Sequence, residues 1–492
     1  YKRQALIACF DRRFSAPAMS ESTDALFEQA RRLDDAGDAE GAARLYRRVL
    51  AGDPGDFRAH NNLGLVLADA GDLGAGLKAL LAARDAKADE ASIYFNIGNV
   101  LQQQERYDSA VDMYRLCLEL GGNSAAVLYN MAGALENVDR DSEAERCYRQ
   151  AAELAPSDHR IISNLGAVLL RDSRVLESLA CFREAVRLNP KSALDHFNVA
   201  KVLDDLGETE EAAAAYRESL ALNPTADSCR YRLIAMLERT GQTQAAKTEL
   251  DTWLRLFPNS ATAQHLSRAF EGDVTTGRAS PDYIRETFDG FADSFEQTLA
   301  KLRYRAPALI ADALGAEAGE PRRALRILDL GCGTGLSGEA VRPWAAELVG
   351  LDLSDEMIQK AEDKKIYDRL VGEDLEDFLG RADEPFDAII AADTLCYFGA
   401  LEEVTGLAAR ALRPGGLLAF TLERAADETC PGGFEIKSHG RYCHTRGYAS
   451  GVLEQAGLRL RSAGEAVLRS EAGSPVDGLV IVAALDADGS SG

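Results

Sequence analysis

The residues best suited to chemistry lie in a glycine-rich segment, Leu325–Gly335, and in the acid that closes the next apolar run. The segment reads Leu-Arg-Ile-Leu-Asp-Leu-Gly-Cys-Gly-Thr-Gly. An apolar run that ends in alternating glycines predicts a buried strand and a sharp loop against which a bulky ligand can lie. About 20 residues later the apolar run Leu348–Asp352 ends in a carboxylate, which can hold a ribose diol. The pattern predicts a nucleoside-containing cofactor.

The elements that must position this loop alternate between strands and helices, which is typical of a parallel sheet with crossover helices. The region is therefore predicted to have an α/β, Rossmann-like fold. We expect seven strands, of which the last two form a hairpin: Arg326–Leu330, Glu347–Asp352, Tyr367–Gly372, Phe386–Ala391, Gly416–Leu422, Leu458–Ala466 and Gly478–Ala484.

Five motifs in this region resemble those of class I S-adenosylmethionine-dependent methyltransferases: Leu328–Gly335, Gly350–Ser354 with Met357, Gly372–Leu375, Phe386–Ile390 and Leu412–Leu417. The resemblance extends from about Leu325 to Leu485 and implies S-adenosylmethionine as the cofactor. It implies that Asp352 takes both ribose hydroxyls, that Asp374 accepts from the adenine amino group, and that Asp393 borders the methyl donor. The implied cofactor-binding residues are Asp329, Gly331, Cys332, Gly333, Gly335, Asp352, Leu353, Met357, Asp374, Leu375 and Asp393.

A nicotinamide cofactor is the competing interpretation of such a loop. The glycines here stand at Gly331, Gly333 and Gly335, a spacing that differs from the G-x-G-x-x-G of dinucleotide-binding loops. We therefore expect a methyltransferase and not a dehydrogenase.

The acceptor site is expected beyond the fourth and fifth strands. The segment Ala391–Phe398 lacks the Asn-Pro-Pro-Tyr motif of adenine-, cytosine- and glutamine-amide methyltransferases, and the Pro-Cys of enzymes that attack carbon 5 of cytosine. Methyl transfer from a sulfonium is an in-line displacement, in which the protein mainly has to position the nucleophile. A dedicated base is therefore optional. We predict His439, His444 and Tyr397 as acceptor-site residues, with the histidines able to take a proton near neutral pH. The alternative is that both histidines are solvated loop residues. We expect no metal.

A repeat of 34 residues precedes this region, beginning at Thr23 and recurring at 57, 91, 125, 159, 193 and 227. The eighth place is small in six of the seven units, the twentieth is small in all, and proline closes five. Small residues let two antiparallel helices approach closely, and a large residue at the twenty-fourth place fills the gap to the next hairpin. The pattern resembles a tetratricopeptide array of seven repeats, with a capping helix near Ala261–Phe270.

Asparagine stands at the sixth place of the five middle units, at Asn62, Asn96, Asn130, Asn164 and Asn198. We expect these side chains to face the concave groove, where carboxamides match the donors and acceptors of a peptide backbone. The arrangement resembles the asparagine ladder of O-linked N-acetylglucosamine transferases, which implies binding of an extended peptide. Aromatic residues at the fifth place could add apolar faces. The alternative is that the asparagines form hydrogen bonds between repeats and the aromatic residues pack.

Composition limits the partners and the compartment. A chain of 492 residues is longer than one hydrophobic core normally organises, so we expect several domains. The formal charge of −24 disfavours binding to nucleic acid and to anionic membranes. The nine cysteines show no Cys-x-x-Cys, and no apolar run reaches the length of a bilayer span. We expect a cytoplasmic protein. Its predicted parts are a tail, residues 1–22; repeats, 23–271; a linker and helical lid, 272–323; a methyltransferase domain, 324–486; and a second tail, 487–492.

These patterns predict a multidomain enzyme, in which an all-α tetratricopeptide superhelix recruits a protein or peptide and a methyltransferase domain modifies it. In the lid, the aromatic segment Phe288–Phe295 is expected to cover the cofactor, the alternative being ordinary helix packing. Two other functions stay open: a small-molecule methyltransferase docked by its repeats into a biosynthetic complex, and a cofactor-binding scaffold without turnover. The sequence predicts neither the acceptor atom nor the oligomeric state.

Overall fold

The computed structural model describes residues 23–428, 430–471 and 474–486. The predicted tails, 1–22 and 487–492, lie outside the described residues. The chain folds as two compact units that divide between Met236 and Leu237.

The N-terminal unit consists of helical hairpins that follow the 34-residue period, so the predicted repeats are confirmed. Its helices are α1 (Thr23–Asp35), α2 (Ala39–Gly52), α3 (Phe57–Asp69), α4 (Leu73–Ala86), α5 (Ala91–Gln103), α6 (Tyr107–Glu119), α7 (Ala125–Glu136), α8 (Asp141–Leu154), α9 (His159–Arg171), α10 (Val175–Leu188), α11 (Ala193–Asp205), α12 (Thr209–Leu222) and α13 (Asp227–Arg239), the last of which crosses the division.

Small residues and aromatic rings hold each hairpin together. A Cβ added to Gly64 would come within 2.9 Å of the Gly76 carbonyl oxygen, so the two helices touch through backbone. The twenty-fourth-place ring of Tyr114 is fully buried and packs 6.0 Å from Phe95 at the fifth place of the same unit. The fifth-place aromatic residue therefore belongs to the packing of its hairpin here.

The C-terminal unit contains the remaining helices and all the strands of the described residues. Its helices are α14 (Thr243–Leu256), α15 (Ala261–Glu271), α16 (Pro281–Asp289), α17 (Phe295–Lys301), α18 (Ala306–Ala318), α19 (Leu336–Val341), α20 (Asp355–Lys364), α21 (Leu375–Gly380), α22 (Glu402–Ala411) and α23 (Arg446–Gln455). Its strands are β1 (Leu325–Leu330), β2 (Ala345–Asp352), β3 (Arg369–Gly372), β4 (Phe386–Ala391), β5 (Leu412–Arg424), β6 (Phe434–Ile436), β7 (Tyr442–His444), β8 (Leu458–Glu471) and β9 (Ser474–Leu485).

The strands form one sheet in the order β3-β2-β1-β4-β5-β7-β6, with β9 antiparallel to β5 and paired to β8. The pairs β2–β3, β1–β2, β1–β4 and β4–β5 are parallel, which confirms the predicted α/β fold. Helix α18 packs on one face of the sheet, and α21, α22 and α23 pack on the other. The strand order reverses between β1 and β4, and open α/β sheets bind ligands at the carboxyl ends of strands at such a point.

Helix α15, which follows the seventh repeat, packs inside the C-terminal unit. His265 stacks on Tyr283 with ring centroids 3.9 Å apart, and its Nε2 donates to the carbonyl oxygen of Gly440 at 2.7 Å. Ala269 packs with Ile436 and Tyr442 of the β6–β7 hairpin. The helix thus supports the loop that joins these two strands.

None of the helices in the described ranges is long and apolar enough to cross a membrane.

Candidate functional site

Three glycines shape the loop between β1 and α19. Gly331, Gly333 and Gly335 have φ angles of 66°, 52° and 93°, which side chains disfavour. A Cβ on Gly331 would lie 2.4 Å from the hydroxyl of Thr394, so no side chain fits at that position. The loop therefore presents bare backbone at the carboxyl end of β1.

Asp352 ends β2, and backbone amides hold both of its carboxylate oxygens. Its Oδ2 accepts from the N–H of Gly333 at 2.8 Å, and its Oδ1 accepts from the N–H of Ser354 at 3.0 Å. Burial raises the pKa of this carboxyl, and the two backbone bonds oppose the rise. Each oxygen keeps a further lone pair. The carboxylate is therefore a fixed acceptor for two more donors.

Asp329 lies wholly buried beneath the loop. Its Oδ2 accepts from the Tyr367 hydroxyl at 2.7 Å, whereas its Oδ1 has no hydrogen-bond partner among the described residues. Burial raises the pKa of this carboxyl to about 7. A buried acceptor without a partner costs about 1–3 kcal/mol. A cationic donor at this oxygen would remove that cost and keep the carboxyl charged.

A cleft of about 500 Å³ opens beside the ends of β2 and β3. One wall carries four acids, and the other comes from the segment before and within α16. The lining residues are Arg278, Pro281, Arg285, Leu353, Gly372, Glu373, Asp374, Glu376 and Asp377. Leu353, the residue after Asp352, and Asp374 thus face the same cleft.

Asp393 follows β4 in a left-handed conformation, with φ of 52°, which is uncommon for a residue other than glycine. Its N–H donates to Oγ1 of Thr421 at 2.8 Å, and its Oδ2 accepts from Arg469 at 2.7 Å. Burial raises the pKa of the carboxyl, and Arg469 opposes the rise. Such strain persists where the surroundings fix the backbone, and it concentrates at functional sites.

Arg469 is the centre of a buried charge cluster beside Asp393. Its guanidinium donates to Asp393, to Glu423 and, at 2.7 Å, to Glu471. Arg441 lies 2.6 Å from Glu423 and 2.5 Å from Glu471. Although burial opposes ionisation, the two arginines lower the pKa of Glu423 to about 2. The two arginines thus hold Glu423 and Glu471 ionised in a buried cluster near the carboxyl end of β5.

Aromatic rings from α16, α17 and the turn between them lie against the glycine loop. Phe295 packs 6.2 Å from Phe288 and 5.5 Å from Phe291, and its ring comes within 3.7 Å of where a Cβ on Gly333 would stand. The Thr334 hydroxyl donates to Glu296 at 2.7 Å. This segment therefore covers the loop in the present arrangement.

Comparison with protein families agrees with this geometry. A methyltransferase-domain model matches residues 328–420, and tetratricopeptide-repeat models match residues 27–91, 89–157, 139–193 and 205–269. The chain combines tetratricopeptide repeats with a class I methyltransferase domain.

Curated relatives include several methyltransferases. The chain is 26% identical over 182 residues to the mitochondrial ubiquinone biosynthesis O-methyltransferase of Rattus norvegicus, covering 36% of this chain and 51% of that protein. It is 32% identical over 161 residues to methyltransferase-like protein 27 of Homo sapiens, covering 30% and 62%. It is 36% identical over 111 residues to the malonyl-[acyl-carrier protein] O-methyltransferase of Enterobacter lignolyticus, covering 23% and 43%. The chain spans about half the length of the curated relatives it matches.

S-adenosylmethionine is the cofactor of this methyltransferase domain, and the residues present fit it. The unpartnered Oδ1 of Asp329 suits the ammonium of the methionine moiety. Asp352 offers two fixed acceptors for the ribose hydroxyls, and Leu353 and Asp374 line the cleft that the adenine would enter. No group of three or more His, Cys, Asp or Glu in the described ranges is placed to hold a metal ion.

Two predicted cofactor residues do not present side chains to the cleft. Cys332 is 4% exposed and Met357 is fully buried, so neither side chain is open to the cleft. Leu375 is the first residue of α21, directly after Asp374, which caps that helix. The backbone amide of Leu375, which is its predicted contact with adenine, therefore stands at the start of this helix.

The predicted acceptor residues of the methyltransferase domain are dispersed. His444 is fully buried, its Nε2 donates to the Gly399 carbonyl oxygen at 3.0 Å, and burial lowers its pKa to about 4. The structure therefore does not bring His444 to an open site. His439 is exposed and lies 3.8 Å from Glu423; desolvation and Arg441 lower its pKa, so it is neutral at pH 7. Tyr397 packs edge-on against Phe288 at 5.7 Å.

The asparagine ladder lies differently from the prediction. Asn62, Asn96 and Asn130 are 0%, 0% and 2% exposed, so their expected display in the groove is wrong. Four of the five sixth-place amides donate to the preceding repeat, as in the structural alternative. The bonds are Asn62 to Tyr46 at 3.2 Å, Asn96 to Asn61 at 2.9 Å, Asn130 to Asn99 at 2.8 Å and Asn164 to Tyr129 at 3.0 Å. Asn164 and Asn198 are partly exposed.

Several residues of the methyltransferase site were missed from the sequence. Glu423 directly follows the predicted fifth strand, so the rule that acids at strand ends mark the site could have found it. The hydroxyl of Tyr367 donates to Asp329. Burial raises the pKa of Tyr304, and the nearby carboxylate of Asp393 raises it further. Arg278 and Arg469 carry no local signal, because their partners are distant in the chain.

Proposed function

We propose that this protein transfers a methyl group from S-adenosylmethionine to a protein or peptide recruited by the tetratricopeptide array. The observation that carries methyl transfer is the fixed carboxylate of Asp352. It is tied to the glycine loop through Gly333, and the residue that follows it, Leu353, lines a cleft together with Asp374.

The chain's own residues would position the reaction more than drive it. When bound, the cofactor supplies an electrophilic methyl group, and the acceptor must approach in line with it. Phe288, Phe295 and Tyr397 exclude water on the loop side. Asp393, which Arg469 holds in place, forms the other border of the space around the methyl group. The acceptor's proton leaves to solvent, because the pKa of His439 is lowered to about 4 and its imidazole is a weak base at neutral pH.

Recruitment of a protein or peptide is supported by the array itself. Tetratricopeptide-repeat models match most of residues 27–269, and stacked repeats of this kind form extended concave surfaces that bind proteins. The buried asparagines Asn96 and Asn130 serve the packing of the array and not the binding of a peptide.

A small-molecule acceptor is the second candidate. It is favoured by the relatives, whose names describe O-methylation in ubiquinone biosynthesis and of a malonyl group on acyl-carrier protein. In that case the repeats would dock the enzyme to a carrier or to a biosynthetic complex.

One labelling experiment separates these candidates. Purified protein and S-[methyl-³H]adenosylmethionine are added to an extract of source cells that lack the gene, and protein and small-molecule fractions are counted. Label in protein supports the proposal. Label confined to small molecules supports the second candidate, and no label despite intact cofactor binding indicates a scaffold.

A further inference from the structure

A short segment of the linker, Gly277–Ala279, is bound along Tyr397–Ala400, which follow β4 in the chain, and we call it the strap. The carbonyl oxygen of Gly277 accepts from the N–H groups of Gly399 at 2.8 Å and Ala400 at 2.9 Å. The Ala279 N–H donates to the Tyr397 carbonyl oxygen at 2.8 Å. The strap is thus paired like a strand, and its middle residue bridges Phe398.

That middle residue, Arg278, reaches across the cleft to its acidic wall. Its guanidinium donates to both oxygens of Asp374, one of them at 3.4 Å, and to Glu376. It also lies 5.0 Å over the Phe398 ring, and its side chain is 23% exposed. A planar guanidinium held by two carboxylates and a ring fixes the orientation of each.

Asp374 has capacity for one more donor. An ionised carboxylate offers about four lone-pair positions. Asp374 uses two of them for Arg278 and one for the N–H of Glu376 at 3.0 Å. The remaining position can accept from an amino group in the cleft. Arg278 also offsets the repulsion among Glu373, Asp374, Glu376 and Asp377 on this wall.

We propose that Arg278 is a cofactor-positioning residue, which holds Asp374 so that its remaining lone pair reads the amino group of adenine. The strap is then a fixed wall of the cofactor site and not a spacer between domains. This inference rests on the proposed function, because it assumes that the adenosyl group enters the cleft.

The test compares two ligands by titration calorimetry: S-adenosylhomocysteine and S-inosylhomocysteine, which has an oxygen in place of the amino group. The wild-type protein should prefer the adenine ligand by at least about tenfold, since an unmatched polar contact costs about 1–3 kcal/mol. Arg278→Gln should weaken adenine binding roughly tenfold and bring the preference close to 1. Arg278→Lys keeps the charge but not the planar, forked donor geometry, so its preference for the adenine ligand should lie between those of the wild-type protein and Arg278→Gln.

Arg326→Gln is the matched control. Arg326 is 21% exposed, pairs with Glu347 at 2.7 Å and Glu384 at 3.1 Å, and lies 4.5 Å over Phe386. It stands near the opposite, amino-terminal end of β1, so its loss should lower stability without changing the ligand preference. The proposal is overturned if Arg278→Gln keeps the wild-type preference, or binds S-adenosylhomocysteine more tightly. Absence of binding by the wild-type protein would instead refute the proposed function itself.

Discussion

Replacement of Asp352 by asparagine should weaken cofactor binding selectively. The carboxylate already accepts the N–H groups of Gly333 and Ser354, so it cannot rotate freely. In Asp352→Asn one oxygen becomes an NH₂ that faces one of these N–H groups and can no longer accept from the ribose. Loss of one hydrogen bond to a charged acceptor costs about 1.5–3 kcal/mol, which corresponds to roughly 10- to 100-fold in Kd.

The assay is calorimetric titration with S-adenosylhomocysteine at pH 8. Asp387→Asn is the control, because Asp387 is also buried and accepts a backbone N–H, from Arg326 at 2.7 Å, but near the opposite end of the parallel strands. This control should bind the ligand like the wild-type protein. If Asp352→Asn bound within twofold of wild type, the assignment of this carboxylate to the ribose would fail.

Three further predictions concern stability. The pKa of Asp329 is raised by burial from 3.8 to about 7, so the folded state holds its proton longer than the unfolded state. The free energy of unfolding should therefore fall by up to about 4 kcal/mol as pH rises from about 4 to 7, and Asp329→Asn should flatten this slope in urea titrations. The pKa of Glu423 is lowered to about 2. The stability that its ionised form contributes should therefore be lost as the pH falls below about 4.5. Glu423→Gln leaves the buried charge of Arg469 without one of its carboxylate partners and should lower the free energy of unfolding by about 3–5 kcal/mol at pH 7. Asn130→Ala removes the bond to Asn99 and should lower the array's stability by about 1 kcal/mol in the same assay, whereas an unchanged midpoint would contradict its structural role.

The fold could be predicted because its signals are local and repeated. The 34-residue period and the apolar runs of the parallel strands each appear in a short stretch of sequence. The β6–β7 hairpin was missed because its strands have only three residues each, too few to show alternation. Strands β8 and β9 run longer than predicted because they pair with each other along their whole length.

The site could be predicted only where a residue's role depends on its own strand. Asp352 and Asp374 follow strand ends, and so their positions were evident from sequence. Arg278 contacts Asp374 across 96 residues, and Arg469 contacts Asp393 across 76. Sequence patterns do not predict such partners. The orientation of Asn96 was mispredicted for the same reason, since its acceptor, Asn61, belongs to the preceding repeat.

The position of helix α15 has a consequence for dividing this protein. By composition, the repeats end at Glu271, but the packing division lies between Met236 and Leu237, inside the seventh repeat. A fragment begun at residue 272 would lose His265 and Ala269, which hold the β6–β7 hairpin. A chimera that exchanges arrays should therefore be joined ahead of α14, so that α14 and α15 travel with the enzyme.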